Sequence, residues 1–305
     1  MAEIKQINVG GELYDLVARS NRNLLDNWDF RNPVNQRGLT SYVASGTSYM
    51  YTIDRWRAYN STVNVVDGAL SVTASDTNDG YKRINQIIDR PLKAGTTVTA
   101  SCAISQATVT HRLLFRLVDG STGIASIQVP NISEPTILTV TFKLTADLSS
   151  PGVEFLSYNS LDEGWSITIT AAKLEIGTVS TLENDPPMDY GTELAKCQRY
   201  FYSTGNANMA FIGDVGADAQ NIRVTILLPT EMRSDAPTTV LTSSKSYVVT
   251  SSITKSVAAT LSVASTKRIG NSLFVTLTPL SEPLVNTTAY TLCLFQSAFT
   301  VSADL

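Results

Sequence analysis

Apolar and polar residues alternate one by one along most of this chain, the period-two pattern of a β-strand with a single buried face. In TTVTASCAIS, Val98, Ala100, Cys102 and Ile104 point one way, with Thr and Ser pointing the other. HRLLFRLVDGS repeats the pattern with Leu113, Phe115 and Leu117, then turns at Asp119-Gly120. ILTVTFKLTA sets Leu138, Val140, Phe142 and Leu144 against Thr139, Thr141 and Lys143. STVNVVDGALSVTAS puts Val63 and Val65 on one face and returns through Leu70, Val72 and Ala74, with Asp67-Gly68 predicting a type I′ turn. GWSITITAAKLEIG carries Trp165, Ile167 and Ile169 inward, and after Ala171-Ala172 the apolar phase slips to Leu174 and Ile176. A one-residue slip of this kind predicts a β-bulge or a move between sheets.

These strands, punctuated by Gly, Asp and Pro, predict an all-β chain whose first body, residues 21–187, is an antiparallel jelly-roll sandwich. A second, smaller β-sandwich is predicted over 188–305. There NIRVTILLP alternates Ile222, Val224, Ile226 and Leu228, and VAATLSVAS faces SLFVTLTPL across Gly270-Asn271 or a longer loop. TTVLTSS and SYVVTSS supply further strands. Ahead of both bodies, Gly10-Gly11 between short apolar runs reads as a tight hairpin in an arm over 1–20. Twenty residues bury no core of their own, so this arm is expected to dock on something else.

One segment breaks the pattern. DYGTELAKCQRYFYSTG follows Pro186-Pro187, which cannot continue a β-ladder. Thr192 is a candidate N-cap, and Glu193 sits where the helix dipole favours an anion. Leu194, Cys197 and Phe201 share a helical face. A short interdomain helix is therefore expected, with Leu194, Cys197, Arg199, Tyr200 and Phe201 as interdomain or assembly residues. Alternatively, Tyr200-Phe201-Tyr202 opens the first strand of the second body.

Composition narrows the range of partners. At 43% hydrophobic residues the chain can build real cores. Charged residues are only 16%, the net charge is −4, and there is no Lys/Arg run, which sets nucleic acid aside. The opening MAEIKQINVGGELYDL lacks the basic and then apolar order of a signal peptide, and no stretch has the length to span a bilayer. Synthesis and folding in a cytoplasm, without membrane insertion, is the expectation. Cys102, Cys197 and Cys293 are far apart and odd in number, which predicts buried free thiols.

No reactive constellation stands out. The lone His111 lies in a strand beside Arg112, with no nucleophile in view. The acid spacing in DTNDG, Asp76 to Gly80, is wrong for a calcium loop, and Ile87 stands where the closing Glu belongs. Asp162 and Glu163 are adjacent and point apart, unlike the facing pair of a glycosidase. The chain is thus expected to be no enzyme and to need no cofactor, with a structural calcium held by loop carbonyls left open. Trp28, Trp56 and Trp165 read as core or rim packing. Tyr81, with Lys82 and Arg83 beside it, is the exposed candidate for contact with a sugar.

Several stretches resemble tail-fibre and receptor-binding proteins of bacteriophages and prophages. IKQINVGGELYDL is similar to the attachment hairpin that opens such proteins. NLLDNWDFRNPVNQRG followed by YTIDRWR resembles the start of their carbohydrate-binding-module-like jelly roll. AAKLEIGTVSTLENDPPMDYGTELAKCQRYFY resembles its last strand and the linker onward, and LLPTEMRSDAPTT resembles a strand pair of the terminal domain. The resemblance implies a non-enzymatic virion protein, a homotrimer that touches other virion proteins through the arm and a host surface glycan outward. It carries no site residues across. A structural collar, head or baseplate component without receptor binding, and a free bacterial carbohydrate-binding module protein, are the alternatives.

Overall fold

The computed structural model describes residues 6–9, 12–15, 20–45, 48–74, 80–110, 112–157, 165–205, 209–215, 222–242, 245–249, 254–257, 262–278, 290–295 and 298–303. The chain is all-β apart from one α-helix and a 3-10 turn among these residues, and it divides into two compact units, Met1–Tyr190 and Gly191–Leu305. At the start β1 (Gln6–Val9) and β2 (Glu12–Asp15) form an antiparallel ribbon closed at the Val9–Glu12 pair. The Gly10-Gly11 pair expected to turn it lies outside the described residues.

The first unit contains β3 (Ser41–Ala44), β4 (Met50–Tyr51), β5 (Arg57–Tyr59), β6 (Ser61–Val66), β7 (Ala69–Ala74) and β8 (Lys82–Ile87). It continues with β9 (Thr97–Thr108), β10 (Leu114–Asp119), β11 (Thr122–Gln128), β12 (Thr136–Lys143), β13 (Pro151–Ser157) and β14 (Ser166–Ile176). They build two six-stranded antiparallel sheets. The first runs β11-β10-β13-β8-β5-β4 and the second β12-β9-β14-β7-β6-β3. Strands adjacent in sequence fall repeatedly in opposite sheets, as in a jelly roll. The inner faces meet in one core that includes Phe30, Trp56, Val63, Val72, Ile84, Phe115, Phe155 and Ile167. Each such fully buried side chain contributes roughly 1.5–3 kcal/mol, which offsets ordering entropy without disulfides. All three tryptophans are buried there, Trp56 edge-on to Phe30 at 5.1 Å.

The expected alternation is present along β9, β12 and β14, although Val140 and Phe142 of β12 are only half-buried, and two further expectations are corrected. The phase slip in β14 coincides with register shifts against β9 between Thr168 and Ala171, so Ala172 and Leu174 replace Ile167 and Ile169 inward. Ile176 does not follow Leu174 into the core; it ends the strand and is exposed. The Asp67-Gly68 turn joins Val66 to Ala69, but only Gly68 takes a positive φ (+71°). A type I′ turn needs two such residues, so the turn is of another type.

Past β14 the chain lies over the outer face of the second sheet. Thr99 Oγ1 donates to the Gly177 carbonyl at 2.9 Å, and Ser180 Oγ donates to Ser101 Oγ at 2.9 Å. A 3-10 turn, Leu182–Asn184, follows. Beneath it, Lys173 pairs with Asp185 and donates to Ser20 Oγ at 2.6 Å, while Glu175 accepts from the Thr181 amide at 2.7 Å. Thr99, Ser101, Lys173 and Glu175 are all buried on a face where alternation alone would leave them in water.

The second unit holds the helix α1 (Tyr190–Cys197), whose first residue belongs to the first unit. Helix formation begins before the expected Thr192, and Asp189, also a preferred cap type, precedes it. Phe201 does not share the helical face with Leu194 and Cys197, because it already belongs to a strand. The strands are β15 (Phe201–Ser203), β16 (Met209–Val215), β17 (Ile222–Leu227), β18 (Thr238–Thr242), β19 (Lys245–Val249), β20 (Thr254–Val257), β21 (Ser262–Ile269), β22 (Ser272–Thr278), β23 (Tyr290–Phe295) and β24 (Ala298–Ser302). A three-stranded sheet, β15-β24-β18, and a seven-stranded one, β20-β19-β23-β16-β17-β22-β21, form a second sandwich. Its core includes Val224, Ile226, Leu273, Val275, Phe299 and Val301. Gly270-Asn271 turns β21 directly into β22 through the Ile269–Ser272 pair, the shorter of the two expected connections.

Asn27 anchors the entry to the first unit. It adopts a positive φ (51°) and is wholly buried. Its amide donates to the carbonyls of Val34 (2.8 Å) and Asp54 (2.7 Å), its Oδ1 accepts from the Val34 amide (2.7 Å), and its own carbonyl accepts from Trp56 Nε1 (2.9 Å). Replacing Asn27 by Ala removes a partner from three buried backbone groups, of which the Val34 carbonyl keeps the Asp54 amide at 3.2 Å, and forces an unfavourable left-handed residue. A loss of about 2–4 kcal/mol in urea unfolding is expected; a change under about 0.5 kcal/mol, the scale of ordinary surface substitutions, refutes this role.

Candidate functional site

Alternation in the first sheet sends Ile84, Phe115, Val153 and Phe155 inward and every second residue outward. The outward residues align in register. Tyr51 of β4 pairs with Arg57 of β5, Arg57 with Asn85 of β8, Asn85 with Glu154 of β13, Glu154 with Arg116 of β10, and Arg116 with Ser126 of β11. One row thus crosses all six strands, a span of about 24 Å at the usual strand spacing. A parallel row two residues along holds Tyr59, Arg83, Leu156, Leu114 and Gln128.

The side chains of the first row are linked. Arg57 Nε donates to Asn85 Oδ1 at 2.9 Å, and Asn85 Nδ2 donates to Glu154 Oε1 at 3.4 Å. Arg116 Nε donates to Glu154 Oε2 at 2.6 Å, and its Nη2 pairs with the same carboxylate. Arg83 Nη1 reaches Glu154 Oε1 at 3.5 Å and the Tyr49 hydroxyl at 3.0 Å. Tyr49 packs under the Arg57 guanidinium, 4.2 Å from it, and against Tyr59 at 5.6 Å. The Arg83 guanidinium lies over the Tyr81 ring at 4.4 Å. Planar cations held over aromatic faces by a carboxylate and an amide make a rigid polar surface.

Of the three residues expected to meet a sugar, two belong to this face. Tyr81 is 44% exposed and stacked on Arg83. Lys82 is a correction: strand alternation puts it on the Ile84 side, where it is wholly buried. The rest of the face was not singled out in the sequence. The signal was present as lone charges inside apolar strands, Glu154 in PGVEFLS and Arg116 in LFRLVD.

Leu194, Cys197, Arg199, Tyr200 and Phe201 all fall in the second unit. Cys197, Tyr200 and Phe201 are buried, Leu194 is half-buried and Arg199 exposed. The Tyr200 carbonyl accepts from the Ala303 amide and that of Arg199 from the Arg233 amide, each at 2.7 Å, so these residues hold the end of the chain to the start of its own body. Cys102 and Cys197 are buried and in no disulfide, and burial pushes the Cys102 thiol well above its ordinary pKa. Side-chain facts for Cys293, and everything at His111, Asp76–Asp79 and Asp162–Glu163, lie outside the described residues. Among the described residues no three His, Cys, Asp or Glu side chains gather as metal ligands would.

The chain matches no protein-family model and no curated protein. Among solved structures it is similar to an α-L-arabinofuranosidase (12% identity, TM-score 0.35), covering 58% of this chain and only 29% of that enzyme. It is similar to the N-terminal cellulose-binding domain of a β-1,4-glucanase from Cellulomonas fimi (18%, TM-score 0.29; 46% of this chain, 96% of that one). An adhesin domain from Streptococcus pyogenes is similar over 85% of this chain and 87% of its own (11%, TM-score 0.32). At these scores no ligand, residue or activity passes from those proteins to this one.

Burial pushes the Glu154 carboxyl above its ordinary pKa, and Arg116, Arg83 and Asn85 pull it back only in part. The folded chain therefore holds this proton more tightly than the unfolded one. The resulting contribution to stability is present at acid pH and is lost as pH rises from the ordinary carboxylate value through the raised one. Relative to Glu154→Gln, the wild-type urea midpoint should fall as pH rises from the ordinary carboxylate range toward neutrality. A difference that is flat or rises over that range contradicts the assignment.

Proposed function

We propose that the first unit binds glycan on the outer face of its first sheet, and that the chain is a virion surface protein contacting the host through it. The observation that carries the reading is the single row from Tyr51 to Ser126, joined by Tyr49, Tyr59, Tyr81 and Arg83. A sugar offers apolar C–H faces and pairs of neighbouring hydroxyls. Tyrosine rings suit the first and planar guanidinium groups the second, with the buried Asn85 and Glu154 holding the guanidinium groups in place. The row stands on strands rather than loops, so little ordering entropy is lost on contact. Placement on a virion, and a homotrimeric state, rest on the resemblance of the arm, the linker and the LLPTEMRSDAPTT stretch to tail-fibre proteins.

Affinity electrophoresis against a panel of soluble bacterial and plant polysaccharides tests the binding. At least one should retard the chain, with Arg57→Ala and Tyr59→Ala each weakening the interaction roughly tenfold, a loss of about 1.4 kcal/mol. Retardation by none of them, or retention unchanged in both variants, removes this face as the site. Light scattering tests the assembly: a mass of three chains is expected, and a monomer at micromolar concentration overturns the trimer.

A further inference from the structure

The outer face of the first sheet is lopsided in charge. It carries Arg57, Arg83, Arg112 and Arg116 against one carboxylate, Glu154, among the described residues, in a chain whose net charge is −4. At the β10–β11 end it opens into a recess of about 240 Å³ lined by Arg112, Leu114, Arg116, Gly123, Ile124, Ala125 and Ser126. The backbone there is shaped for it. The β10–β11 register shifts between Leu117 and Val118, where Ala125 and Gly123 are the partners and Ile124 is the extra residue. Bulges of this kind re-aim a strand edge and are over-represented beside sites. Gly123 leaves the space that the Arg116 guanidinium occupies, since a Cβ there would stand 2.6 Å from Arg116 Nη1. Arg116 is committed to Glu154 and to the Ser121 carbonyl. Arg112 is exposed and has no ionic partner among the described residues.

We propose that the ligand of this face is an anionic glycan, whose carboxylate or phosphate group enters the recess against Arg112 while the neutral part of the chain lies along the row toward Tyr59. This rests on the glycan-binding reading above and adds the substrate class. Arg112 offers the planar fork that pairs two oxygens of a carboxylate or phosphate. The Arg116–Glu154 pair fixes the wall of the recess, and the surplus cations raise the local concentration of polyanions. A neutral glycan would leave that surplus uncompensated.

The test compares binding of the full chain to polygalacturonate, poly(glycerol phosphate) and neutral xylan, at about 0.1 M and about 1 M salt, where the screening length falls from about 10 to about 3 Å. One of the two polyanions should bind more tightly than xylan and lose affinity as salt rises, and which of them does so assigns carboxylate or phosphate. Arg112→Ala should weaken that polyanion about tenfold. Its urea midpoint, measured alongside, should stay at the wild-type value because Arg112 is exposed. Xylan bound as tightly as either polyanion, or polyanion binding indifferent to salt and to Arg112→Ala, overturns the anionic class and leaves glycan binding standing. Failure to bind any polysaccharide overturns both.

Discussion

The burial of the Glu154 carboxylate organises the first unit more than any other single feature. A carboxylate with no access to water must be paired or lose its charge, since leaving it bare costs several kcal/mol. It lies on the outer side of a strand whose inner side, Val153 and Phe155, is core. Slipping β13 by one residue would turn the charge into that core, so Glu154 and the apolar pattern specify the same register. Pairing in that register then fixes its neighbours: Arg116 on β10, Arg83 and Asn85 on β8, and Arg57 through Asn85. The second sheet solves a similar problem differently. There Lys173 and Glu175 are enclosed by the returning chain, which supplies Thr181 and Asp185 together with Ser20. One outer face is thus closed by the protein's own chain; on the other, Asn85, Glu154, Leu114 and Leu156 are buried too, and the tyrosines and part of the arginine surface face outward.

That difference decides which face suits a ligand. Replacing a buried ion pair by apolar residues of similar volume is often neutral or stabilising. The Arg116–Glu154 pair is therefore hard to explain by stability alone, and Glu154 has its pKa raised by the cost of its burial. Its effect is positional. It holds guanidinium planes at set angles across four strands, against tyrosines that limit their freedom further. Preorganised polar groups lose less entropy when a ligand arrives than the same groups on mobile side chains.

Much of the fold was legible in the chain because a strand writes its buried face into every second residue. Val98 to Ile104 and Leu70 to Ala74 are buried as their alternation required, and the slip at Ala171-Ala172 marked a real register shift. What alternation misses is cover by distant chain. Thr99, Ser101, Lys173 and Glu175 read as solvent-facing, yet segments far away in sequence enclose them. The candidate site was illegible for a related reason. Its row joins Tyr51, Arg57, Asn85, Glu154, Arg116 and Ser126, residues that no local window contains together. Tyr81 and Arg83 were found because exposure and stacking are properties of neighbours. Lys82 was misplaced because in a strand the residue between two exposed ones faces the opposite side.

Net charge is a poor guide to such a surface. A value of −4 argues against a polyanion as the partner of the whole molecule. Screening limits that argument to a distance of about 8–10 Å at physiological salt. A ligand on the row therefore feels the charges within that distance more strongly than the net charge of the whole chain. Among the described residues the sheet face shows more guanidinium than carboxylate, and Glu154 is already engaged by two arginines. An acidic chain can therefore carry a face selective for acids, provided its own carboxylates lie beyond the screening length. The jelly roll confines the row to one side of one sheet.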